Sequence, residues 1–513
     1  MTYSLLPRPQ VGEGLEGSLT LTSPLRIAYD EQWGEVVDVF AADMAASIGW
    51  AVQRVERNEP SDIRMDTDAT RRDEHYTLRV TNQVVIAASS AAGFAYALTS
   101  LRQLGPAALW SRETTPLECW MVPGVSIVDG PAFAWRGAHL DVARRFFDVE
   151  VVLRFIDLLA AHRLNRLHLH LNDDQGWRVE VPGWPRLTEV GAWRLATPLG
   201  HEREGRSDDI PHGGFYRAAD IARIVEHARR RHVVVVPEID LPGHAQAVLA
   251  AYPHFGNTTE TLDVWTHWGV SDHVLNVQPE TLAFVEDVVR YVASLFPGNP
   301  VHIGGDECPT DEWSASPAAR AVMHAFDFVE PEQLQALYTQ RLAAALVRDG
   351  HEVLAWDEVL DAVVPPGTTI CAWRSVDKGI HAAQRGLDVI MAPMQYLYFD
   401  WLSSDAPDEP TAVKRFPLVT TWEKVYGYHV IPDDLDPTVS HRIRGAQVQL
   451  WSEYIATRER LDYMAFPRLC AFSEVVWGSA SDVVEFRGRL EEHLERLDAL
   501  GVSYRHLDSA VAT

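Results

Sequence analysis

Two acids stand side by side, Asp306 and Glu307, at the end of the run Val301-His302-Ile303-Gly304-Gly305. Neighbouring carboxyls can divide acid and base work when their surroundings pull their proton affinities apart. In a regular strand adjacent residues point to opposite faces, so both acids reach one pocket only where the backbone turns. Gly304 and Gly305 permit that turn. In isolation the stretch reads better as an ordinary acidic turn, so its surroundings decide its meaning.

What must position the acids is a repeating strand, loop and helix pattern that begins at Phe133. Candidate strands are Trp135–Leu140, Arg166–Leu171, Val233–Glu238, Val301–Gly304, Val353–Trp356, Thr369–Trp373, Asp388–Ala392 and Ala446–Trp451. Helical spacing of apolar residues lies between several of them: Val152, Phe155, Ile156 and Leu159 in Val151–Ala161, Ile221, Ile224 and Val225 in Ala218–Arg230, and Leu334, Leu337, Tyr338, Leu342 and Leu346 in Pro331–Arg348. This alternation predicts an α/β fold, a (β/α)8 TIM barrel over residues 131–513. Between Trp356 and Thr369 there is little room for an outer helix, so the barrel should be irregular there. Residues 1–130 read as a small α+β domain. Ser18–Thr22 alternates like a strand, Tyr76–Val80 and Val84–Ala88 form a hairpin, and Ala91–Leu104 carries Phe94, Leu98 and Leu101 at helical spacing. That part holds no catalytic cluster and is expected to pack against the barrel, with Pro123–Pro131 as the junction.

Barrel enzymes place their chemistry at the C-terminal ends of the strands. There the chain offers Asp141 and Arg144, Asn172-Asp173-Asp174-Gln175-Gly176-Trp177, Asp240 with His244, Asp306-Glu307, Trp356-Asp357-Glu358, Trp373-Arg374, Tyr396, Tyr398 and Asp400, and Trp451-Ser452-Glu453. A solvated rim would be polar, but it would not need repeated tryptophans. Carboxylates, an arginine and aromatic walls suit a sugar, whose hydroxyls need hydrogen bonds and whose ring needs an apolar face. Two rival readings use the same groups. His168-Leu169-His170 is an H-x-H of the kind metal-dependent amidohydrolases carry, yet a metal needs ligands from later strands and only His244 and several acids offer themselves. A non-catalytic carbohydrate-binding barrel would keep the aromatics, but Glu307 beside Asp306 argues against it.

Bulk composition narrows the choice further. A formal net charge of -27 over 513 residues argues against a nucleic-acid or anionic-membrane partner. No apolar stretch is long enough to span a bilayer. Cys119, Cys308, Cys371 and Cys470 lack the spacing of a zinc ribbon or a disulfide framework. Met1 to Gly12 shows no signal-peptide pattern, so a cytoplasmic location is the expectation, or a secreted one if a leader precedes this sequence. No feature specifies an oligomeric state.

Arg136-Gly137, Leu140-Asp141, Arg144, His168 to Trp177, Pro237-Glu238-Ile239-Asp240, Pro242-Gly243-His244 and His302–Trp313 together resemble glycoside hydrolase family 20, the β-N-acetylhexosaminidases. The resemblance covers nearly the whole chain, because residues 1–130 are similar to the α+β domain that usually precedes the family's barrel. It implies Glu307 as general acid/base and Asp306 as the group holding the substrate's 2-acetamido substituent. Trp356, Trp373 and Trp451 would wall the acetyl group, and Tyr398 would bond its carbonyl oxygen, with Tyr396 a competitor for that place. Arg144, Asp400 and Glu453 would bind ring hydroxyls, while Asp173, Asp240 and His244 would support the acids. Arg145 replaces the histidine common in relatives and reads as a neutral rim change. The implied substrate is an oligosaccharide or glycoconjugate, with no cofactor and no metal. Side-by-side acids cannot easily flank a sugar ring, and the resemblance implies that the nucleophile would be the substrate's own acetamido oxygen, since this family is one of the substrate-assisted exceptions to the two-carboxylate rule. An ionised Asp306 would stabilise the resulting oxazolinium. Burial and neighbouring acids would raise the proton affinity of Glu307.

Overall fold

The computed structural model describes residues 4–201, 204–407, 409–412 and 419–507. Its centre is a closed parallel barrel of eight strands in chain order: Trp135–Asp141, Arg166–His170, Val234–Glu238, Val301–His302, Val353–Trp356, Thr368–Ala372, Val389–Met391 and Ile443–Val448. Each pairs with the next and the last with the first. The register sets Asp141, His170, Glu238 and His302 level across four neighbouring strands. That row of polar side chains lies at the strand ends, where barrel enzymes carry their sites.

Outer helices close over the barrel with their apolar faces. In Val149–Ala161 the residues Val152, Leu153, Phe155, Ile156, Leu158 and Leu159 are buried. Full burial of such side chains is worth about 1.5–3 kcal/mol each. Asp148 caps this helix by accepting from the Val151 N–H at 3.0 Å, a contribution of about 1 kcal/mol. Between the fifth and sixth strands only the 3-10 turn Asp357–Asp361 is present, so the expected irregularity is found. The expected helix Pro331–Arg348 begins instead as a 3-10 turn, Pro331–Leu334, before the α-helix Gln335–Arg348.

Two strands depart from their expected limits by more than one residue at an end. The fourth is only Val301–His302, although Ile303 still donates to Leu354 and Gly304 still accepts from Trp356 before the left-handed Gly304 (φ 64°) turns the chain. The eighth is Ile443–Val448 rather than Ala446–Trp451. A Cβ on Gly445, at φ 150°, would lie 1.8 Å from the Trp135 carbonyl oxygen, so glycine is what lets this strand close against the first. Gln449 still bridges to Tyr398, and Trp451 lies beyond the sheet.

The N-terminal part is a seven-stranded mixed sheet that shares an apolar core with the helices Gly34–Ile48 and Ala91–Gln103. The hairpin Tyr76–Val80 and Val84–Ala88 is as expected. Ser18 to Leu21 belong to a longer strand, Val11–Leu21. Pro123 lies inside the strand Trp120–Asp129, opposite Ser18 next to a bulge, where the missing N–H breaks no ladder bond that the register needs. The expected junction is therefore largely strand, and the connection narrows to 130–134. Asp129 fixes the seat of the two parts: it accepts from Arg163 and from the Trp477 indole, both at 2.8 Å and both buried.

Candidate active site

The turn after the fourth strand separates the two adjacent acids. Gly304, Gly305 and Glu307 have φ of 64°, 101° and 44°. A Cβ on Gly304 would meet Asp240 Oδ1 at 1.9 Å, so the close approach of these two strand ends requires glycine. The turn is pinned by Gly305 N–H donating to Asp240 Oδ1 (2.9 Å) and Gln335 Nε2 donating to the Gly305 carbonyl (2.9 Å). Asp306 is thereby turned inward and is 7% exposed. Glu307 is exposed instead and lines a cavity of about 700 Å³ with Cys308, Gln335, Glu358 and Val359. Its expected burial is not found, because the left-handed backbone at Glu307 sends its side chain outward from the strand end.

Asp306 belongs to a buried carboxyl pair with Asp240, which is 1% exposed. Burial and then the charge of Asp240 push the Asp306 carboxyl well above the usual range. Burial likewise raises Asp240, to about 7, against the pull of His244. Two charges side by side here would repel, so the pair disfavours ionising both carboxyls at once. His244, left-handed at φ 47°, points Nε2 at Asp306 Oδ2 (3.8 Å) and Nδ1 at Asp173 Oδ1 (3.2 Å). Burial opposes its charge, yet Asp173 and Asp174 hold it protonated well above its ordinary range.

Asp173 joins this acid network to the hydroxyl side of the pocket. Its Oδ2 lies 2.8 Å from the Arg144 guanidinium and 2.9 Å from His170 Nε2. Burial works against its ionisation, but Arg144 and His244 keep it well below the usual carboxylate range. Arg144 also donates to Gln175 Oε1 at 3.1 Å and lies 4.9 Å over the Trp451 ring. Asp400 Oδ1 and Glu453 Oε2 are buried with no hydrogen-bond partner among the described residues. Both carboxyls are raised, by burial first, and Asp400 further by Glu453. Such orphaned acceptors suit ligand hydroxyls, which would supply the missing donors.

The aromatic walls are less uniform than expected. Trp373 and Trp451 are half-buried, and Trp373 stacks on Tyr398 with ring centres 6.1 Å apart. Trp356 is only 1% exposed, and its indole donates to Glu238 Oε1 at 2.7 Å, so it forms the floor behind Trp451 rather than an open wall. Trp451 is 6.2 Å from it. Tyr398 is buried near Asp306 and Asp400. Its competitor Tyr396 packs against Tyr428 (5.1 Å) and Lys424 instead. The structure therefore brings together Arg144, Asp173, Asp240, His244, Asp306, Tyr398, Asp400, Trp451 and Glu453, with Trp373 and Trp356 at the margins and Glu307 facing out.

With this geometry in hand, the likeness to known proteins is specific. The family description "glycosyl hydrolase family 20, catalytic domain" matches residues 133–480, and "glycosyl hydrolase family 20, domain 2" matches residues 2–130. The chain belongs to glycosyl hydrolase family 20. A β-hexosaminidase of Porphyromonas gingivalis is 38% identical over 92% of this chain, which spans 60% of that protein's length. A β-N-acetylhexosaminidase of Cellulomonas fimi is 34% identical over 97% of this chain and 95% of its own. A solved family 20 exo-β-N-acetylglucosaminidase of Vibrio harveyi, in complex with N-acetylglucosamine, superposes with a TM-score of 0.87 at 31% identity, covering 98% of this chain and 78% of that one.

Family membership leaves the buried histidines of the barrel to be explained. His139, His168, His170 and His302 surround Glu238, and sets such as His168, Glu238 and His302 bring potential metal-ligand atoms together. The metal reading required His168 and His170 to ligate jointly. His170 directs Nδ1 at Glu238 (2.5 Å) and Nε2 at Asp173 (2.9 Å), so both its nitrogens are engaged. His168 Nδ1 accepts from Gln447 Nε2 at 2.9 Å. Its partner His244 lies in the Asp173–Asp306 network instead. Two polar residues at the site, Glu238 and Glu358, stand in the sequence motifs without an assigned role, and His170 is weighed there only as a metal ligand. Burial raises Glu358 to about 9, and it accepts from the Trp373 indole at 3.0 Å. The signal for Glu238 was available, since it is the last residue of the candidate third strand, at the end where barrel enzymes place their chemistry.

Proposed function

We propose that this chain is an exo-acting, retaining β-N-acetylhexosaminidase that removes terminal non-reducing β-linked N-acetylglucosamine or N-acetylgalactosamine from oligosaccharides or glycoconjugates. The observation that carries the reading is the division of the adjacent acids: Asp306 buried beside Asp240 and His244, Glu307 exposed on the open cavity. On this reading the buried acid serves the acetamido side and the exposed one meets the leaving group. In keeping with its family, the nucleophile is the acetamido oxygen of the substrate, held close and aligned.

The first step forms a bond from that oxygen to the anomeric carbon while the glycosidic bond breaks. Glu307 gives its proton to the departing oxygen, and the leaving group covers a side chain that is otherwise exposed. Positive charge develops on the closing oxazolinium. Asp306 accepts the amide N–H and stabilises this charge when the proton of the carboxyl pair rests on Asp240. Trp373, Trp451 and Tyr398 exclude water and limit rotation of the acetyl group. In the second step Glu307 takes a proton from water, which opens the ring with retention. Arg144, Asp400 and Glu453 hold the ring hydroxyls.

Incubating the enzyme with a panel of aryl β-N-acetylglucosaminides and β-N-acetylgalactosaminides, with early NMR of the released sugar, tests this proposal. Release of the β-anomer first is expected. An α-anomer first, or sugar binding without turnover, would overturn it. Glycosidase chemistry here needs no metal, so activity abolished by a chelator and restored by zinc would also count against it.

A further inference from the structure

We propose that Glu238 is a positioning residue, a single buried carboxylate that holds the acetamido side of the pocket with one oxygen and the hydroxyl side with the other. This rests on the reading of the site as an N-acetylhexosamine pocket. Glu238 is wholly buried at the end of the third barrel strand. Its Oε1 accepts from the Trp356 indole at 2.7 Å. Its Oε2 is 2.5 Å from His170 Nδ1, and His170 Nε2 is 2.9 Å from Asp173 Oδ2. The same Asp173 oxygen lies 2.8 Å from Arg144, and the other Asp173 oxygen 3.2 Å from His244. A chain of close polar contacts therefore runs Trp356, Glu238, His170, Asp173, then Arg144 on one branch and His244 on the other, with His244 Nε2 a looser 3.8 Å from Asp306 Oδ2.

The charge state of the chain follows from its geometry. Both nitrogens of His170 face carboxylate oxygens, which only accept, so both carry hydrogen and the ring is a cation. Burial opposes that charge, but Glu238 and Asp173 push its proton affinity up to about 10. His139 and His168 beside it do not share the charge. His139, with its ring 5.7 Å from His170, is held well below its ordinary value by burial. His168 has Nε2 3.2 Å from Glu238 and Nδ1 occupied as an acceptor, and burial lowers it to about 4. His302 Nδ1 lies 3.0 Å from Glu238 Oε1 and also takes the Gly304 N–H. The ring of Trp451 completes the enclosure, 5.0 Å from His170. A carboxylate with acceptor capacity on both oxygens can serve Trp356 and His170 at once. An amide cannot: its NH2 end has no lone pair for an N–H, so one side loses its acceptor.

Glu238→Gln tests the assignment, alone and combined with Trp356→Phe and with Asp173→Asn. The expected single variant keeps its circular dichroism spectrum and loses about 100-fold or more in kcat/KM on an aryl β-N-acetylglucosaminide. In each double variant the losses should fall short of the product of the singles by at least about 10-fold, because the chain is already broken. A merely structural ion pair would lower Tm yet give losses that multiply within about 2-fold in both combinations, and that result overturns the proposal. Nitrogen NMR of the wild-type enzyme labelled at histidine decides the matter independently of folding in the variants. His170 is expected to carry hydrogen on both nitrogens at pH 8, and a neutral ring there also overturns the proposal. Failure of the functional reading would show separately, as a wild-type enzyme without turnover of any N-acetylhexosaminide.

Discussion

Replacing Asp240 by Asn probes the carboxyl pair without changing its shape. The amide keeps an oxygen for the Gly305 N–H and turns an N–H toward Asp306, while the proton and the charge of the Asp240 carboxyl both disappear. Two carboxylates in contact repel by about 4 kcal/mol at an effective dielectric of about 20, and about 1.4 kcal/mol corresponds to one step on the pH scale. Asp306 is raised by burial first and by Asp240 second, so losing the second cause should let it ionise at lower pH. Turnover needs Asp306 ionised, and the acid limb of the kcat/KM profile should therefore move to lower pH. Stability gives a second reading of the same pair. Asp240 is raised to about 7 in the folded chain, against about 3.9 in an unfolded one. The folded state thus binds this proton more tightly, and the associated stability is present below about pH 4 and lost as the pH rises through about 7. Asn has no such loss. Its advantage over the wild type should grow across that window by up to about 4 kcal/mol, measured by denaturant unfolding at pH 4 and pH 8. An acid limb that stays in place or moves upward, together with a stability difference that does not change with pH, would refute the interaction of the two carboxyls.

Other perturbations bear on the same account. Glu307→Gln should cost most with poor leaving groups and less with an activated aryl glycoside; equal losses across a leaving-group series would contradict the acid assignment. Asp306→Asn should lower kcat by about 100-fold or more on every substrate, whatever the leaving group, since it acts on the acetamido side. Gly304→Ala should destabilise the chain by several kcal/mol, about 1 kcal/mol from the left-handed backbone and the rest from the Cβ placed 1.9 Å from Asp240 Oδ1. Calorimetry that found Tm unchanged would mean the turn can relax.

Much of this architecture was legible because the relevant signals are local. Apolar runs marked the barrel strands, and each ended in a polar or aromatic residue that the structure brings to one rim. What escaped depended on backbone conformation or on partners distant in sequence. The fourth strand turns away at the left-handed Gly304, a conformation that composition permits but does not dictate. Trp356 reads like Trp373 and Trp451 in the sequence, yet an acceptor 118 residues away, Glu238, draws it into the floor. Glu307 was expected to be buried among acids, and the turn that buries Asp306 is the same turn that exposes it. Pro123 looked like a linker residue but fits a strand beside a bulge. Adjacency of the acids, the feature with the clearest chemical consequence, needed no structure to be seen.

The central claim is that the substrate supplies the nucleophile. Comparing two aryl β-glucosides that differ only at C2, acetamido against hydroxyl, measures this directly on the unaltered enzyme. The account predicts rapid hydrolysis of the first and almost none of the second. Comparable kcat/KM for the two would contradict it, because a protein nucleophile would then have to exist.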